Sequence, residues 1–171
     1  MNNKNVFLIG LMGSGKSFWA KKLSIILNIP VFDLDSEIEK TEGKTVAKIF
    51  ADEGENYFRK KENEVLKTFA GNNNFLLATG GGAPCFFDNM KWMNANGTTI
   101  WIDEIIITIV SRLIKGKSHR PLIANVPDDK LEDFFLQMRN KRLPFYYKAK
   151  FQLTGDDINI ASFLEIISPH E

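Results

Sequence analysis

The sequence predicts an α/β fold in which a parallel sheet of five strands is covered by helices on both faces. Short apolar runs of β character alternate along the chain with stretches whose apolar residues recur at helical spacing. That alternation is typical of a parallel sheet. The first run, Val6–Ile9, is apolar at every position, as expected for a strand that is buried on both faces.

The elements follow in order from these patterns. Further strands are predicted at residues 30–33, 75–78, 98–102 and 151–153. Trp19, Leu23, Ile26 and Leu27 lie on one helical face and predict the first helix. The same spacing predicts later helices around residues 46–50, 58–69, 105–113, 131–138 and 160–167, and Gly54 is expected to separate the first two of these. Since ligands bind at the carboxyl ends of the strands in such sheets, we look there for functional residues.

Length and composition limit the classes of protein that this chain can represent. A length of 171 residues fits one domain, residues 1–171. The net charge of +1 gives no indication of a nucleic-acid or membrane surface, and the apolar stretch at 105–110 is too short to span a bilayer. Cys85 is the single cysteine, which excludes an internal disulfide and fits a reducing compartment. We therefore expect a cytoplasmic monomer with no nucleic-acid or membrane partner.

Residues 10–17, GLMGSGKS, match the phosphate-binding pattern G-x-x-x-x-G-K-[ST] between a predicted strand and a predicted helix. In this pattern the backbone N–H groups of the loop and the helix N-terminus surround a phosphate. Lys16 is expected to reach the β- and γ-phosphates, and the Ser17 hydroxyl to bind Mg²⁺. A plain turn would explain the glycines but neither Lys16 nor Ser17. The predicted nucleoside triphosphate site comprises Gly10, Gly13, Ser14, Gly15, Lys16 and Ser17.

Two carboxylates, Asp33 and Asp35, stand at the end of the second predicted strand. If the strand continues, side chains two residues apart point to the same face. One carboxylate would then hold Mg²⁺ through water and the other would accept a hydrogen bond from a substrate hydroxyl. A carboxylate at this place would repel a phosphate acceptor, which favours an acceptor hydroxyl. The alternative is that Asp35 caps the helix that follows it.

Three consecutive glycines, Gly80, Gly81 and Gly82, follow the third predicted strand. Glycines expose backbone N–H groups and allow a ligand to approach closely, so they predict a binding loop. A permissive turn explains the three residues equally well.

Three arginines are candidate anion ligands. Arg59 follows the apolar Phe58, and Arg142 falls close to the apolar stripe of its predicted helix. A guanidinium in such a place needs an anion or a route to water. The alternative for Arg142 is a favourable interaction with the last helical turn before Pro144. Arg120 lies in a segment whose glycine, lysine, serine and proline content predicts a mobile loop.

Six pieces of sequence occur in the order of a known enzyme family: GLMGSGKS, FDLDSEIE, GENYFRKKE, TGGGA, HRPLI and RLPFY. Through them the chain resembles bacterial shikimate kinase over nearly its whole length. The first piece is shared by many families, whereas the others in this order are more specific. The resemblance implies a three-layer P-loop kinase fold, similar to that of nucleoside monophosphate kinases. It also implies a helical substrate-binding segment at about 34–62, a mobile lid at about 114–125, and ATP- and Mg²⁺-dependent phosphorylation of the shikimate 3-hydroxyl in aromatic amino-acid biosynthesis.

The resemblance also implies roles for individual residues. The implied catalytic residues are Lys16, Asp35 and Arg120. The implied shikimate contacts are Asp35, Arg59, Gly80, Gly81, Gly82 and Arg142, with Glu62 orienting Arg59. The implied ATP contacts are the residues of the phosphate loop together with Phe18, Arg112 and Arg120, and the implied Mg²⁺ ligands are Ser17 and Asp33. Phe18 stands where the family usually has threonine, so one hydroxyl on the nucleotide side is lost.

Two other functions fit parts of the sequence. One is a different small-molecule hydroxyl kinase of similar fold, such as a gluconate kinase. The other is a nucleotide-binding module that has lost its chemistry. The joint presence of Lys16, Asp33, Asp35, Arg59 and Arg142 argues against the second alternative.

Overall fold

A computed structural model describes residues 5–120 and 122–168. Its strands are β1 (Val6–Ile9), β2 (Val31–Asp33), β3 (Leu76–Ala78), β4 (Thr98–Asp103) and β5 (Phe151–Thr154). They form one sheet in the order β2-β3-β1-β4-β5, and every neighbouring pair is parallel. The predicted five-stranded parallel sheet is therefore confirmed.

The described ranges contain seven α-helices: α1 (Lys16–Leu27), α2 (Leu34–Glu42), α3 (Val46–Lys67), α4 (Asn89–Asn96), α5 (Ile106–Leu113), α6 (Leu131–Tyr146) and α7 (Ile160–Ile167). None of them is both long enough and apolar enough to span a lipid bilayer. Gly54 kinks α3 with a φ of 81°, at the point where the sequence predicts a separation. The helix α4 was not predicted, because its three asparagines interrupt the apolar spacing.

Successive residues of β1 face opposite sides of the sheet, and this alternation produces the layers. Phe7 and Ile9 pack into a core with the helices α2 to α6, whereas Val6 and Leu8 pack into a second core with α1 and α7. The predicted three-layer arrangement is therefore present, with helices on both faces of a buried sheet.

The chain leaves the sheet at Asp33, the last residue of the strand predicted at 30–33. The strand β2 ends there, and the Asp33 carboxylate caps α2 by accepting a hydrogen bond from the Ser36 N–H at 3.3 Å. Asp35 therefore lies in the first turn of α2. The condition under which Asp33 and Asp35 would point to the same face of a strand is therefore not met. The alternative that Asp35 is the cap is wrong, because Asp33 takes the capping position.

The predicted lid, residues 114–125, connects α5 to the segment before α6, and Pro121 within it lies outside the described residues. It begins with a 3₁₀ helix at Ile114–His119. The Lys117 ammonium donates to the Val126 carbonyl at 2.6 Å and pairs with Asp128. Ile123 is completely buried in the larger core. The segment is thus tied down at two points and carries Arg120 between them.

The helix α6 runs through Pro144 and ends at Tyr146, two residues beyond the proline. A proline in the last turn removes one backbone hydrogen bond, and so it does not have to end the helix before itself. Arg142 and Tyr146 consequently lie one helical turn apart on the same helix face.

Candidate active site

The phosphate loop lies between the carboxyl end of β1 and the N-terminus of α1. Gly10 and Gly15 have φ values of 145° and 96°, which residues with side chains rarely adopt. A Cβ on Gly10 would also lie 2.5 Å from the Ile102 carbonyl oxygen. The backbone conformation of the phosphate loop therefore requires glycine at these positions. This conformation allows the loop to curve around the N-terminus of α1.

Lys16 is buried at the first position of α1. Its ammonium donates to the carbonyl oxygens of Gly10 at 2.9 Å and Leu11 at 2.7 Å. The pKa of Lys16 is lowered to about 8, mainly by burial and to a smaller extent by Arg142, while Asp35 counteracts part of this shift. The ammonium is therefore held inside the loop, where a bound anion would further favour its charged form.

Ser17 and Asp33 are brought together by the packing of α1 beside β2. The Ser17 hydroxyl donates to Asp33 Oδ2 at 2.7 Å. Mg²⁺ prefers oxygen ligands and usually retains water and substrate phosphates, so one hydroxyl and one carboxylate suit it. In the part of the chain that the structure describes, no three His, Cys, Asp or Glu side chains are grouped as a metal site. The pair Ser17–Asp33 therefore fits a magnesium ion that nucleotide phosphates also bind.

Asp35 and Lys16 line one cavity of about 360 Å³, together with Gly80, Gly81 and Arg120. Burial raises the pKa of Asp35, and Asp33 raises it further, whereas Lys16 and Arg59 lower it. The end of β2 at Asp33 does not remove Asp35 from the site, because the first turn of α2 still faces the phosphate loop.

Arg59 is buried on α3 and is clamped by two carboxylates. Its Nη1 donates to Glu62 at 2.8 Å, and its Nε and Nη2 donate to Glu55 at 3.2 and 3.1 Å. The centroid of the Phe86 ring lies 4.4 Å from the guanidinium carbon Cζ. Burial raises the pKa of the Glu62 carboxyl to about 7, although Arg59 favours its ionised form. Glu62 contacts Arg59 as the resemblance implied, whereas the contact from Glu55 was not predicted.

The three glycines after β3 leave room for charged side chains. None of them has a positive φ, so the turn itself does not require glycine. A Cβ on Gly80 would lie 2.9 Å from Glu62 Oε1, one on Gly81 would lie 2.9 Å from Arg142 Nη1, and one on Gly82 would lie 2.5 Å from Arg59 Nη2. The permissive-turn alternative is therefore wrong: the turn does not need glycine, and a Cβ at any of the three positions would instead displace a charged group from its present place.

Arg142 reaches this loop from α6. Its Nη1 is buried and makes no hydrogen bond within the described residues. A buried donor without a partner costs free energy that an acceptor would recover. The Arg142 guanidinium and the clamped Arg59 therefore form a cationic pair around the glycine loop.

A separate cavity of about 420 Å³ lies on the outer side of the phosphate loop, lined by Gly15, Phe18, Trp19, Glu104, Arg112, Gly155 and Ile158. Arg112 donates to the Gly13 carbonyl at 3.0 Å and to Glu104 at 2.8 Å, which fixes it at the mouth. Trp19 lines this cavity, although the sequence pattern indicates only a packing role for it. No signal in the sequence distinguishes such a wall residue from a core residue.

A third cavity of about 430 Å³ adjoins Asp35 and Arg120 and has an apolar wall formed by Met12, Val46, Ala47, Phe50 and Leu122. In the sequence, Val46 and Phe50 merely belong to a helical pattern. Arg120 lines both this cavity and the one that contains Lys16. The predicted lid thus brings its arginine to the boundary between two neighbouring cavities.

Comparison with known proteins agrees with this geometry. The family model described as shikimate kinase matches residues 12–168. The chain belongs to the shikimate kinase family. A shikimate kinase of Bacteroides fragilis is 41% identical over 160 residues, which cover 94% of this chain and 89% of that protein.

Two solved structures extend the likeness to three dimensions. The crystal structure of shikimate kinase from Bacteroides thetaiotaomicron is 37% identical with a TM-score of 0.84, and the match covers 95% of this chain and 93% of that one. A shikimate kinase from Acinetobacter baumannii in complex with shikimate is 28% identical with a TM-score of 0.84, covering 95% and 89%. The resemblance found in the sequence and the P-loop kinase fold are therefore confirmed. The roles of the individual residues remain predictions, for which the contacts above provide the physical basis.

Proposed function

We propose that this member of the shikimate kinase family transfers the γ-phosphoryl group of ATP to the 3-hydroxyl of shikimate with the help of Mg²⁺. The observation that carries the proposal is the meeting of Arg59, Arg142 and Asp35 around the glycine loop. Shikimate has one carboxylate and three hydroxyls, and these groups match two guanidiniums, a carboxylate and bare backbone N–H groups.

The acceptor carboxylate binds between Arg59 and Arg142. Three of the five N–H groups of Arg59 are used by Glu55 and Glu62, which leaves two for the acceptor. Arg142 contributes its buried, unpartnered Nη1. The apolar wall that contains Val46 and Phe50 packs against the carbon ring of the acceptor.

Phosphoryl transfer relies mainly on positioning and on stabilisation of charge. Asp35 accepts the hydrogen bond of the 3-hydroxyl and takes its proton as the oxygen bonds to the γ-phosphorus and the bond to the leaving ADP oxygen breaks. A raised pKa makes Asp35 a better proton acceptor than an ordinary carboxylate. Lys16 exchanges its loop carbonyls for phosphate oxygens, and Arg120 approaches the same oxygens from the lid.

Ser17 and Asp33 would hold Mg²⁺, which would supply positive charge to stabilise the transferred phosphoryl group. The adenine occupies the cavity beside Phe18 and Arg112. The remaining ATP contacts come from the phosphate loop, and the lid at about 114–125 closes when both substrates are bound. The cytoplasmic location, the monomeric state and the absence of nucleic-acid and membrane partners remain predictions.

The test is release of ADP from ATP on addition of shikimate, compared with a panel of hydroxy acids that includes gluconate. The Lys16→Ala variant should lose turnover, whereas Lys21→Ala, the same change at an exposed position of α1, should retain it. Faster turnover of gluconate than of shikimate would point to a different hydroxyl kinase. Binding of ATP without turnover of any acceptor would indicate a module that has lost its chemistry.

A further inference from the structure

Each backbone carbonyl of the glycine loop, residues 80–82, accepts a hydrogen bond from a residue outside that loop. The Gly80 carbonyl accepts from the Ala83 N–H at 3.1 Å, and the Gly82 carbonyl accepts from the Cys85 N–H at 2.9 Å. The Ala83 carbonyl accepts from the side chain of Asn89 at 2.9 Å. The Gly81 carbonyl accepts from the Tyr146 hydroxyl at 2.6 Å, so this one bond ties the loop to α6.

The bond from Tyr146 sets the direction of a backbone donor. In a trans peptide the carbonyl oxygen and the following N–H point in opposite directions, and the structure contains no cis peptide in its described ranges. Holding the Gly81 oxygen therefore aims the Gly82 N–H away from α6. This N–H donates no hydrogen bond within the described residues. Glycine has too much conformational freedom to hold the peptide plane by itself.

Tyr146 is rigidly placed for this task. Its side chain is completely buried, and its ring packs on that of Trp101 with the centroids 5.4 Å apart. Burial raises the pKa of Tyr146 and outweighs the lowering by Arg142, so the hydroxyl keeps its proton and donates. Arg142 precedes Tyr146 by one helical turn, and its Nη1 lies against Gly81. Tyr146 thus contacts the glycine loop directly and lies one helical turn from Arg142, the cation next to that loop.

We propose that Tyr146 is a positioning residue for the acceptor. Its hydroxyl ties the Gly81 carbonyl to α6 and thereby holds the Gly82 N–H and the Arg142 guanidinium at a fixed separation. The inference rests on the proposed function, because it requires the acceptor to bind at this loop. It assigns a task to the tyrosine of the RLPFY piece, which the proposed chemistry does not use.

The first test compares Tyr146→Phe with Tyr147→Phe in steady-state kinetics. Tyr147 is the adjacent tyrosine, is 64% exposed and packs its ring on Trp101 from another side, so it controls for the loss of a hydroxyl. Tyr146→Phe should raise the KM for shikimate by about tenfold because the Gly81 carbonyl loses its partner. The KM for ATP should stay within about twofold, and Tyr147→Phe should resemble the wild type.

Several results would overturn the proposal. An unchanged KM for shikimate in folded Tyr146→Phe enzyme would do so, and equal rises in both KM values would indicate general loosening instead. If wild-type enzyme does not phosphorylate shikimate, the proposed function itself fails. Normal wild-type turnover with an unaffected Tyr146→Phe variant rejects the positioning role alone.

If Tyr146→Phe does not fold, a second measurement on the wild-type side chain tests the proposal. The chain has three tyrosines, Tyr57, Tyr146 and Tyr147, so labelling with 3-fluorotyrosine yields three fluorine resonances. The Tyr57→Phe and Tyr147→Phe variants assign them by elimination. Saturating shikimate should shift the Tyr146 resonance and leave that of Tyr147 in place. A Tyr146 resonance that does not respond to bound shikimate contradicts the proposal.

Discussion

Replacing Gly82 by alanine should displace Arg59 without straining the backbone. The φ and ψ of Gly82 are −88° and −18°, which alanine adopts readily. The new Cβ would lie 2.5 Å from Arg59 Nη2 and 2.7 Å from its Cζ, whereas ordinary contacts begin at 3.4 Å. The guanidinium must therefore move by about 1 Å to relieve the contact.

The neighbours of Arg59 restrict this movement of its guanidinium. Glu62 holds Nη1 at 2.8 Å, Glu55 holds Nη2 at 3.1 Å, and the centroid of the Phe86 ring lies 4.4 Å from the guanidinium carbon Cζ. A misplacement of about 1 Å in a binding group can cost about 100-fold in rate, so we expect kcat/KM for shikimate to fall by about 10- to 100-fold. The KM for ATP should change little, because these residues that contact Arg59 lie on α3 or after β3 and not in the phosphate loop.

Steady-state kinetics with each substrate varied in turn measure this effect, with Gly71→Ala as the control. Gly71 has a φ of 82°, and a Cβ added there would meet no atom of the described residues within 4 Å apart from its chain neighbours, so alanine strains the backbone but touches no side chain. This control should lower the melting temperature and leave both KM values unchanged. A folded Gly82→Ala enzyme with the wild-type KM for shikimate would refute the reasoning, since Arg59 would then not need its present position.

Three further outcomes are expected. Asp35→Asn should lower kcat by about 100-fold or more with an unchanged KM for ATP, and a near-normal kcat would exclude proton transfer to Asp35. Because burial raises the pKa of Glu62 from 4.5 to about 7, wild-type stability should decrease relative to Glu62→Gln as the pH rises from about 4.5 to about 7, by up to about 3 kcal/mol. Melting temperatures across this range test it, and a constant difference would show that Arg59 keeps Glu62 ionised. Hydrogen exchange at residues 114–119 should slow when an ATP analogue and shikimate bind together, and unchanged exchange would argue against lid closure.

The sequence by itself determined the layer architecture and the phosphate loop. Both depend on local patterns: an apolar strand must be buried, and glycines followed by Lys16 and Ser17 form a compact anion site within eight residues. The pieces around Asp35, Arg59 and Arg142 were sufficient to predict the family and the substrate. These motifs can be recognised from the sequence alone because each one lies within a short stretch of chain.

Only the tertiary structure decided how the distant pieces meet. It assigned the helix cap to Asp33 instead of Asp35 and gave Arg59 the clamp of Glu55 and Glu62. It also showed that a side chain at any of the glycines after β3 would displace charged groups from α2, α3 or α6. The reason is that side chains far apart in sequence come within 3 Å through packing of whole helices on the sheet. A one-dimensional pattern records which faces are buried, but it does not contain the distances between those faces.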